Sequence, residues 1–482
     1  MSSSLTAFLP ELVLLAGALG LFGLTLGSSA RQSKIASLVT AAAFVAAVIL
    51  SFGTHATLFN GAYRVDTFSQ LFKLILGLGY IVVLLLGRSL DDIRQDIRSE
   101  YYLFLSLGIC GLAFLFSSIE IISIVISLEL SSYPLYLMVA MRRERDGQRV
   151  QMESAIKYMM FGISANGIMF FGLSYLFGLT GTTSLPLMLE RLQPYFATGN
   201  VNALAVVGLA LSLSGFLYKF AIFPFHFWTP DVYQGASNET AALVASLPKL
   251  GAIAVLTRFV GLASPTDSTI PTLLAVLATA SMFYGNLVAL VQTDVKRLLG
   301  FSGIAHAGYA MVGLVALGSA GFAASIFYIA GYVLMVLACF FVVSRVSPDG
   351  TNVSLSDLAG LHKRSPLLAL TIGLGVFALG GIPPFVGFMG KFGLLNAALD
   401  KGWLWLVIVT VINSAIAIYY YLKIVKEAYF SDAAGRPAIA LDFAAKAACI
   451  VLLLAITALG VAPGKLMQLI AVSLDTVQVA LN

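Results

Sequence analysis

Apolar residues in this chain run in long blocks separated by short polar stretches. Neither the alternation of a half-buried strand nor the narrow apolar stripe of a surface helix is sustained. A membrane-spanning helix needs about 20 mostly apolar residues. Runs of that kind occur fourteen times: 5–27, 34–54, 66–88, 101–117, 119–140, 153–179, 201–223, 239–262, 270–292, 296–318, 320–345, 366–398, 402–428 and 442–463. The alternating segments of about ten residues that mark a membrane β-barrel are absent. The pattern therefore predicts an all-α polytopic membrane protein of about 14 transmembrane helices.

Composition sharpens this reading. The 482 residues are 59% hydrophobic and only 11% charged, whereas soluble domains carry roughly 25% charged residues. That excludes a water-soluble globule, a disordered chain and a coiled coil. The net charge of +5 is too small to point to nucleic acid. Cys110, Cys339 and Cys449 lie scattered in apolar runs, with no metal-ligand spacing, and read as small hydrophobes in helix packing. Met1–Thr6 holds no Lys or Arg and no clear cleavage site ends the first apolar run, so that run is expected to be a retained helix. Placement of charge is more informative than its sum. One set of alternate loops carries seventeen Lys and Arg and the other five. Positive residues stay on the cytoplasmic side, so both termini are expected to face outward. The longest outer pieces, 180–200 and 464–482, suit interfacial helices and leave no room for a separate domain.

Two spans carry internal breaks. The seventh reads GFLYKFAIFPFHFWTPDVYQGA (215–236), where Pro224 removes a backbone donor and clashes with the preceding turn. The twelfth reads ALGGIPPFVGFMGKFGLL (378–395), with Gly380, Gly381, Pro383 and Pro384 together. These breaks lie five spans apart and run in opposite directions, the pattern of two inverted five-helix repeats in many ion transporters. The expected organisation is an N-terminal three-helix segment at 1–100, a first repeat at 101–262, a second at 270–428, and a C-terminal helix and tail at 442–482. The interruption repeats but the lysine does not: Lys219 precedes Pro224 by five residues, and Lys391 follows Pro384 by seven.

A charge near a helix centre costs roughly 2.5–3.5 kcal/mol on insertion scales. Glu129, Lys219, Lys249 and Lys391 all fall at that depth, as does His306, so these five are candidate functional residues. His226, beside Phe227 and Trp228, fits an interfacial aromatic cluster as well as a proton-entry role. Lys157, early in its span, can snorkel. Lys73 and Arg258 can reach an interface and receive no role. An ammonium has an ordinary pKa near 10.4; burial lowers it and a nearby carboxylate raises it. A buried lysine whose carboxylate partner approaches or retreats is thus a switchable proton carrier. A sodium path would call for clustered oxygen ligands, and none appear at depth. Walker A, Gly-rich dinucleotide, haem and iron–sulfur motifs are missing as well, so a partner must supply the driving energy.

The ordered set of a mid-helix Glu in ELSSYPLYLM, Lys-Phe…Pro-Phe-His in the broken seventh span, Pro-Lys-Leu in the eighth, DVKRLLGFSGIAHAGY and GIPPFVGFMGKF resembles the antiporter-like membrane subunits of respiratory complex I and the related Mrp antiporters. The lysine in GFMGKF and the lack of a long lateral helix after the last span resemble the N-type branch of bacterial NADH:quinone oxidoreductase. The resemblance implies a non-redox, proton-translocating subunit of that enzyme in the bacterial inner membrane, with a Mrp-type cation/proton antiporter subunit as the alternative. It implies Glu129 paired with Lys219, Lys249 as central relay, His306 bridged by water, and Lys391 as the link to the outer side or to a neighbouring subunit. NADH, FMN, iron–sulfur clusters and quinone are expected on partner subunits, among them an antiporter-like neighbour and small K- and J-type subunits. The chain itself is expected to hold neither cofactor nor metal. On the eleventh span only Ser325, Tyr328 and Tyr332 are polar, so this stretch is expected to depend on water.

Overall fold

The computed structural model describes residues 3–27, 30–87, 90–145, 149–196, 202–263, 268–433 and 435–478. The chain is almost entirely helical. In order the main helices are α1 (Leu9–Thr25), α2 (Ala30–Ser51), α3 (Thr67–Leu86), α4 (Arg98–Ser117), α5 (Ile121–Ala140) and α6 (Val150–Thr180). Next come α7 (Ala203–Ser212), α8 (Ser214–Phe220), α9 (Trp228–Gly235), α10 (Asn238–Val260), α11 (Thr269–Ala289) and α12 (Val295–Val315). The series ends with α13 (Ser319–Val346), α14 (Pro366–Gly380), α15 (Val386–Asp400), α16 (Leu404–Phe430), α17 (Phe443–Val461) and α18 (Gly464–Gln478). The one sheet among the described residues is a hairpin of β1 (Ala56–Leu58) and β2 (Tyr63–Val65), paired with Ala56 opposite Val65.

Twelve helices among the described residues are long and apolar enough to cross a membrane, α7 and α8 together counting as one from Ala203 to Phe220. Many of the polar residues between apolar runs are helix caps. Asp66 accepts from Ser69 N, Ser237 from Thr240 N, Asp294 from Arg297 N and Asp442 from Ala445 N, each satisfying a backbone donor that a helix start leaves unpaired.

Burial sorts the helices into a centre and a rim. The apolar stretches of α10 and α12 are 100% buried and that of α13 is 94% buried, while those of α6 and α16 are 39% and 33% buried. The rim exposes Ile156, Ile163 and Phe171 on α6, and Ile408, Val411 and Ile412 on α16. A face so uniformly apolar suits lipid rather than water. Lys249, His306 and Tyr332 sit on the three central helices, where the surrounding packing fixes their positions.

Both expected breaks are present. Helix α8 stops at Ala221, which adopts a left-handed conformation (φ 65°), and helical structure resumes at Trp228. The first break thus starts three residues before Pro224. The residue preceding a proline is pushed out of the helical region, so the ring disrupts the chain upstream of itself. Helix α14 stops at Gly381 (φ 82°) and α15 resumes at Val386. Each break contains a cis X–Pro bond, Phe223–Pro224 and Pro383–Pro384.

The described parts of the two segments expected to lie on the outer side carry helices as well. Residues Leu185–Leu192 form a short helix, and α18 folds back on α13 and α3, burying Ile470, Ser473 and Leu474. At the end of the bundle opposite the hairpin, Arg142 ties four connections together. It donates to Asp92 at 2.7 Å, to the Gln234 carbonyl at 2.8 Å, and to the Gly350 carbonyl at 2.6 Å.

Candidate functional site

Lys219, Lys249, His306 and Lys391 are all buried, with 5%, 1%, 1% and 6% of their surface exposed. They form a line rather than a cluster. Lys219 lies in the last turn of α8 and donates to the Ser131 hydroxyl of α5 at 3.4 Å. Its neighbour Phe220 presents its ring 6.0 Å from Lys249 Nζ. Lys249, at the middle of α10, donates to the Gly303 carbonyl of α12 at 2.6 Å and lies 4.8 Å from the Tyr332 ring centroid. The Tyr332 ring is 5.1 Å from that of His306. The line continues through Tyr309, whose ring is 5.6 Å from His306 and 4.6 Å from Lys391 Nζ.

Each ammonium is compensated differently. Lys391 donates to the Ser414 hydroxyl at 2.7 Å and to the carbonyls of Gly380 and Leu379 at 3.0 and 3.2 Å. Those carbonyls end α14, where a helix leaves its acceptors unpaired and its dipole favours a cation. The break thus builds a cation seat from two backbone carbonyls, completed by the Ser414 hydroxyl. Lys249 has a carbonyl and an aromatic face, a cation–π arrangement that gains strength away from water. Among the described residues no ion pair involves Lys219, Lys249 or Lys391.

Glu129 of α5 accepts a short hydrogen bond from Asn166 Nδ2 of α6. It is only partly buried and faces the side of the bundle beside the exposed Tyr133. The pairing of Glu129 with Lys219 expected from the resemblance is therefore not a direct contact; Asn166 and Ser131 hold the two groups separately.

His306 has both ring nitrogens engaged, Nδ1 with the Tyr328 hydroxyl at 2.7 Å and Nε2 with the Tyr421 hydroxyl at 2.9 Å. Tyr421 in turn meets Ser302 at 2.8 Å. A second polar knot lies alongside: Asn286 donates to Tyr309 at 3.0 Å and accepts from Tyr420 at 2.9 Å. The hydroxyls thus come from α12, α13 and α16 together. Ser325, one of three polar residues expected to serve here, instead donates to the Ala310 carbonyl at 2.8 Å.

The remaining candidates stand apart. His226 is buried within the break between α8 and α9, 4.3 Å from the Tyr284 ring and 4.4 Å from Phe227, and neither ring nitrogen has a hydrogen-bond partner among the described residues. Lys157 is an end-of-helix residue, paired with Glu153 at 2.7 Å and with Asp231 at 2.8 Å, and Asp231 also receives Arg297 at 2.7 Å. Snorkelling accounts for it.

Two residues given an interfacial escape have none. Lys73 is completely buried and pairs at 2.5 Å with Glu11, which also accepts from the Tyr63 hydroxyl at 2.7 Å. Arg258 is 4% exposed and donates to the carbonyls of Ser118 at 2.6 Å and Phe116 at 2.8 Å. Both sit near the hairpin end, where the chain termini of neighbouring helices offer unpaired acceptors. Among the described residues no group of three or more His, Cys, Asp or Glu could hold a metal ion.

The family described as NADH:quinone oxidoreductase/Mrp antiporter matches residues 118–417, which contain every member of the line. NADH-quinone oxidoreductase subunit N 2 of Opitutus terrae is 62% identical over 477 residues, covering 98% of this chain and 99% of its own. A chain of respiratory complex I from Thermus thermophilus superposes with a TM-score of 0.82 at 31% identity, over 96% of this chain and 99% of that one. A chain of the Mrp complex from Dietzia reaches a TM-score of 0.85 over 98% of this chain and 97% of that one, at 20% identity, and so shares the fold alone. The chain therefore belongs to the NADH:quinone oxidoreductase/Mrp antiporter family of membrane subunits, on its subunit N branch.

Proposed function

We propose that this chain carries protons across a bacterial inner membrane as a non-redox subunit of NADH:quinone oxidoreductase. Quinone reduction elsewhere in the complex drives it, and NADH, FMN, iron–sulfur clusters and quinone reside on partner subunits. Adding α1 and the broken pair α14/α15 to the twelve long helices gives fourteen spans. Residues 101–262 and 270–428 then form inverted repeats, and both termini face outward. An antiporter-like neighbour and small K- and J-type subunits complete its surroundings.

The observation that carries the reading is the series of buried groups Lys219, Lys249, His306 and Lys391, with the ring of Tyr332 between Lys249 and His306 and that of Tyr309 between His306 and Lys391. Four ionisable groups in the interior of a membrane bundle are costly unless used. Their carbonyl, hydroxyl and ring partners stabilise an ammonium without fixing its charge, as a carrier that must also become neutral requires. In this arrangement Lys219 takes up the proton under the influence of Glu129, Lys249 and His306 pass it along, and Lys391 releases it. His226 lies beside the first break at a point suited to entry.

Lys219→Ala and Glu129→Gln in the assembled complex test the reading through NADH-driven acidification of inverted membrane vesicles. Both are expected to assemble and to pump poorly; full pumping by both overturns it. A stand-alone Mrp-type antiporter has only the shared fold in its favour, since the identity to the Mrp chain is 20%.

A further inference from the structure

The second break is braced by a helix that carries none of the relay. Helix α17 lies beyond residues 118–417, the stretch covered by the family match. Its only charged residue is Lys446, in its first turn. It nevertheless packs against both halves of the broken pair, α14 and α15, and against the central α13. Ala445, Cys449, Leu452, Ile456 and Gly460 are buried at helical spacing, so a single face of α17 is turned inward.

The approach is closest at Gly460. A Cβ there would overlap the Pro384 carbonyl oxygen and the Phe385 carbonyl carbon, and would lie 2.7 Å from Phe385 Cα. All three are backbone atoms, with no flexible side chain to swing aside. Gly460 thus lets the last spanning helix rest directly on the turn at 381–385. That turn has little slack with which to absorb a push. Gly381 N donates to the Ala378 carbonyl at 3.0 Å, Ile382 N to the Phe377 carbonyl at 3.0 Å and Phe385 N to the Ile382 carbonyl at 3.2 Å. A Cβ on Gly387, in α15, would overlap the Ala378 carbonyl of α14. Close-packed interiors transmit such strain. At the other end of the turn Gly381 lies against Lys391, and the Leu379 and Gly380 carbonyls hold its ammonium at 3.2 and 3.0 Å.

We propose that Gly460 is a positioning residue for Lys391. Through it α17 fixes the place of the turn, and the turn fixes the distance between the ammonium and its carbonyl seat. This deepens the relay function proposed above and rests on it. Gly460 touches no proton carrier and acts only through backbone. A displacement of about 0.5 Å takes the longer of the two carbonyl contacts out of hydrogen-bond range, so a single methyl group at position 460 is enough to disturb the seat.

The test measures NADH-driven pumping per assembled complex in inverted vesicles, with assembly followed on native gels. Gly460→Ala is expected to lower pumping about tenfold, the scale of one hydrogen bond to a charged group. Variants that act on one seat do not add, whereas distant ones do. Gly460→Ala combined with Gly381→Ala should therefore stay near the rate of Gly381→Ala alone. Gly172→Ala is the packing control: its Cβ, between α6 and α7, would meet the Gly208 and Leu211 backbone at 2.7 Å. Combined with Gly381→Ala it should multiply the two losses. A density map of the Gly460→Ala complex gives the direct reading, with Lys391 Nζ and the Gly380 carbonyl expected beyond about 3.5 Å. Multiplied losses in the Gly460→Ala/Gly381→Ala pair, or an unmoved seat, overturn the inference and leave the relay standing. Full pumping by Lys391→Ala removes the relay and the inference together. Should Gly460→Ala fail to assemble, Ile456→Ala takes its place, since it shortens a fully buried side chain one turn away on the same face and lets α17 settle. Losses that multiply with those of Gly381→Ala, or wild-type pumping by Ile456→Ala, refute the proposal.

Discussion

At the first interruption the lysine comes before the turn and a carboxylate stands on the neighbouring helix α5; at the second it comes after the turn and, among the described residues, forms no ion pair. Lys219 belongs to the last turn of α8 and meets a hydroxyl, with Glu129 held at a distance by Asn166. Lys391 reaches back from α15 to the carbonyls that end α14. The two sites thus put an ammonium beside a broken helix by opposite routes. A carboxylate that moves changes its effect on Lys219 strongly in a medium of low dielectric. Backbone carbonyls do not move independently of the helix. The first site is therefore suited to being switched, and the second to a steady hold on its cation.

The comparison breaks most visibly at Lys219. Lys219→Ala removes the switched carrier and is expected to cut NADH-driven pumping on the order of 10²-fold, the scale of a lost general acid–base group, with assembly intact on native gels. Gly381→Ala attacks the second site without replacing its lysine. Its Cβ would meet Lys391 Cδ at 2.9 Å and Nζ at 3.2 Å, at a φ of 82° that alanine rarely adopts. Pumping about tenfold lower is expected, from a displaced cation plus a backbone penalty of roughly 1–2 kcal/mol. Asn166→Leu sharpens the contrast by releasing Glu129 alone. The bond lost is charge-assisted, and a fall of about fivefold is expected, with the dependence of rate on pH altered only in this variant and not in Gly381→Ala. Lys157→Ala should matter least. An exposed ion pair contributes about 0–1 kcal/mol, so pumping within twofold of wild type is the expected reading from the same vesicles.

How much of this was readable beforehand follows from the physics of each feature. Long apolar blocks reveal membrane helices because a bilayer interior leaves a backbone no other option, and both breaks announced themselves through Pro224 and through Gly381 with its two prolines. Lys219, Lys249, His306 and Lys391 stood out because a polar group among twenty apolar ones is conspicuous. Their partners did not. Asn166, Ser131 and Ser414 are unremarkable residues on other helices, and a hydroxyl at depth is cheap enough to need no explanation. Tyr421 lies 115 positions from His306, and nothing local marks the two as neighbours. The same holds for Lys73, for which distance from the helix end suggested an escape to the interface. Its actual partner is 62 residues earlier on a helix that sequence cannot place beside it. Glu129 erred in the other direction: depth along the helix was legible, but the face it occupies, partly open to the side, was not.

The Glu11–Lys73 pair bears on ancestry as well as on packing. Two opposite charges, shut away together between the first and third long helices, have no intermediate that is comfortable: changing one strands the other without a counterion, a loss of roughly 3–5 kcal/mol. Relatives of this chain should accordingly keep both members or have replaced both with apolar residues. A sequence that retains the acid while lacking the base ought to be rare, and where one exists a new cation should have arisen close by.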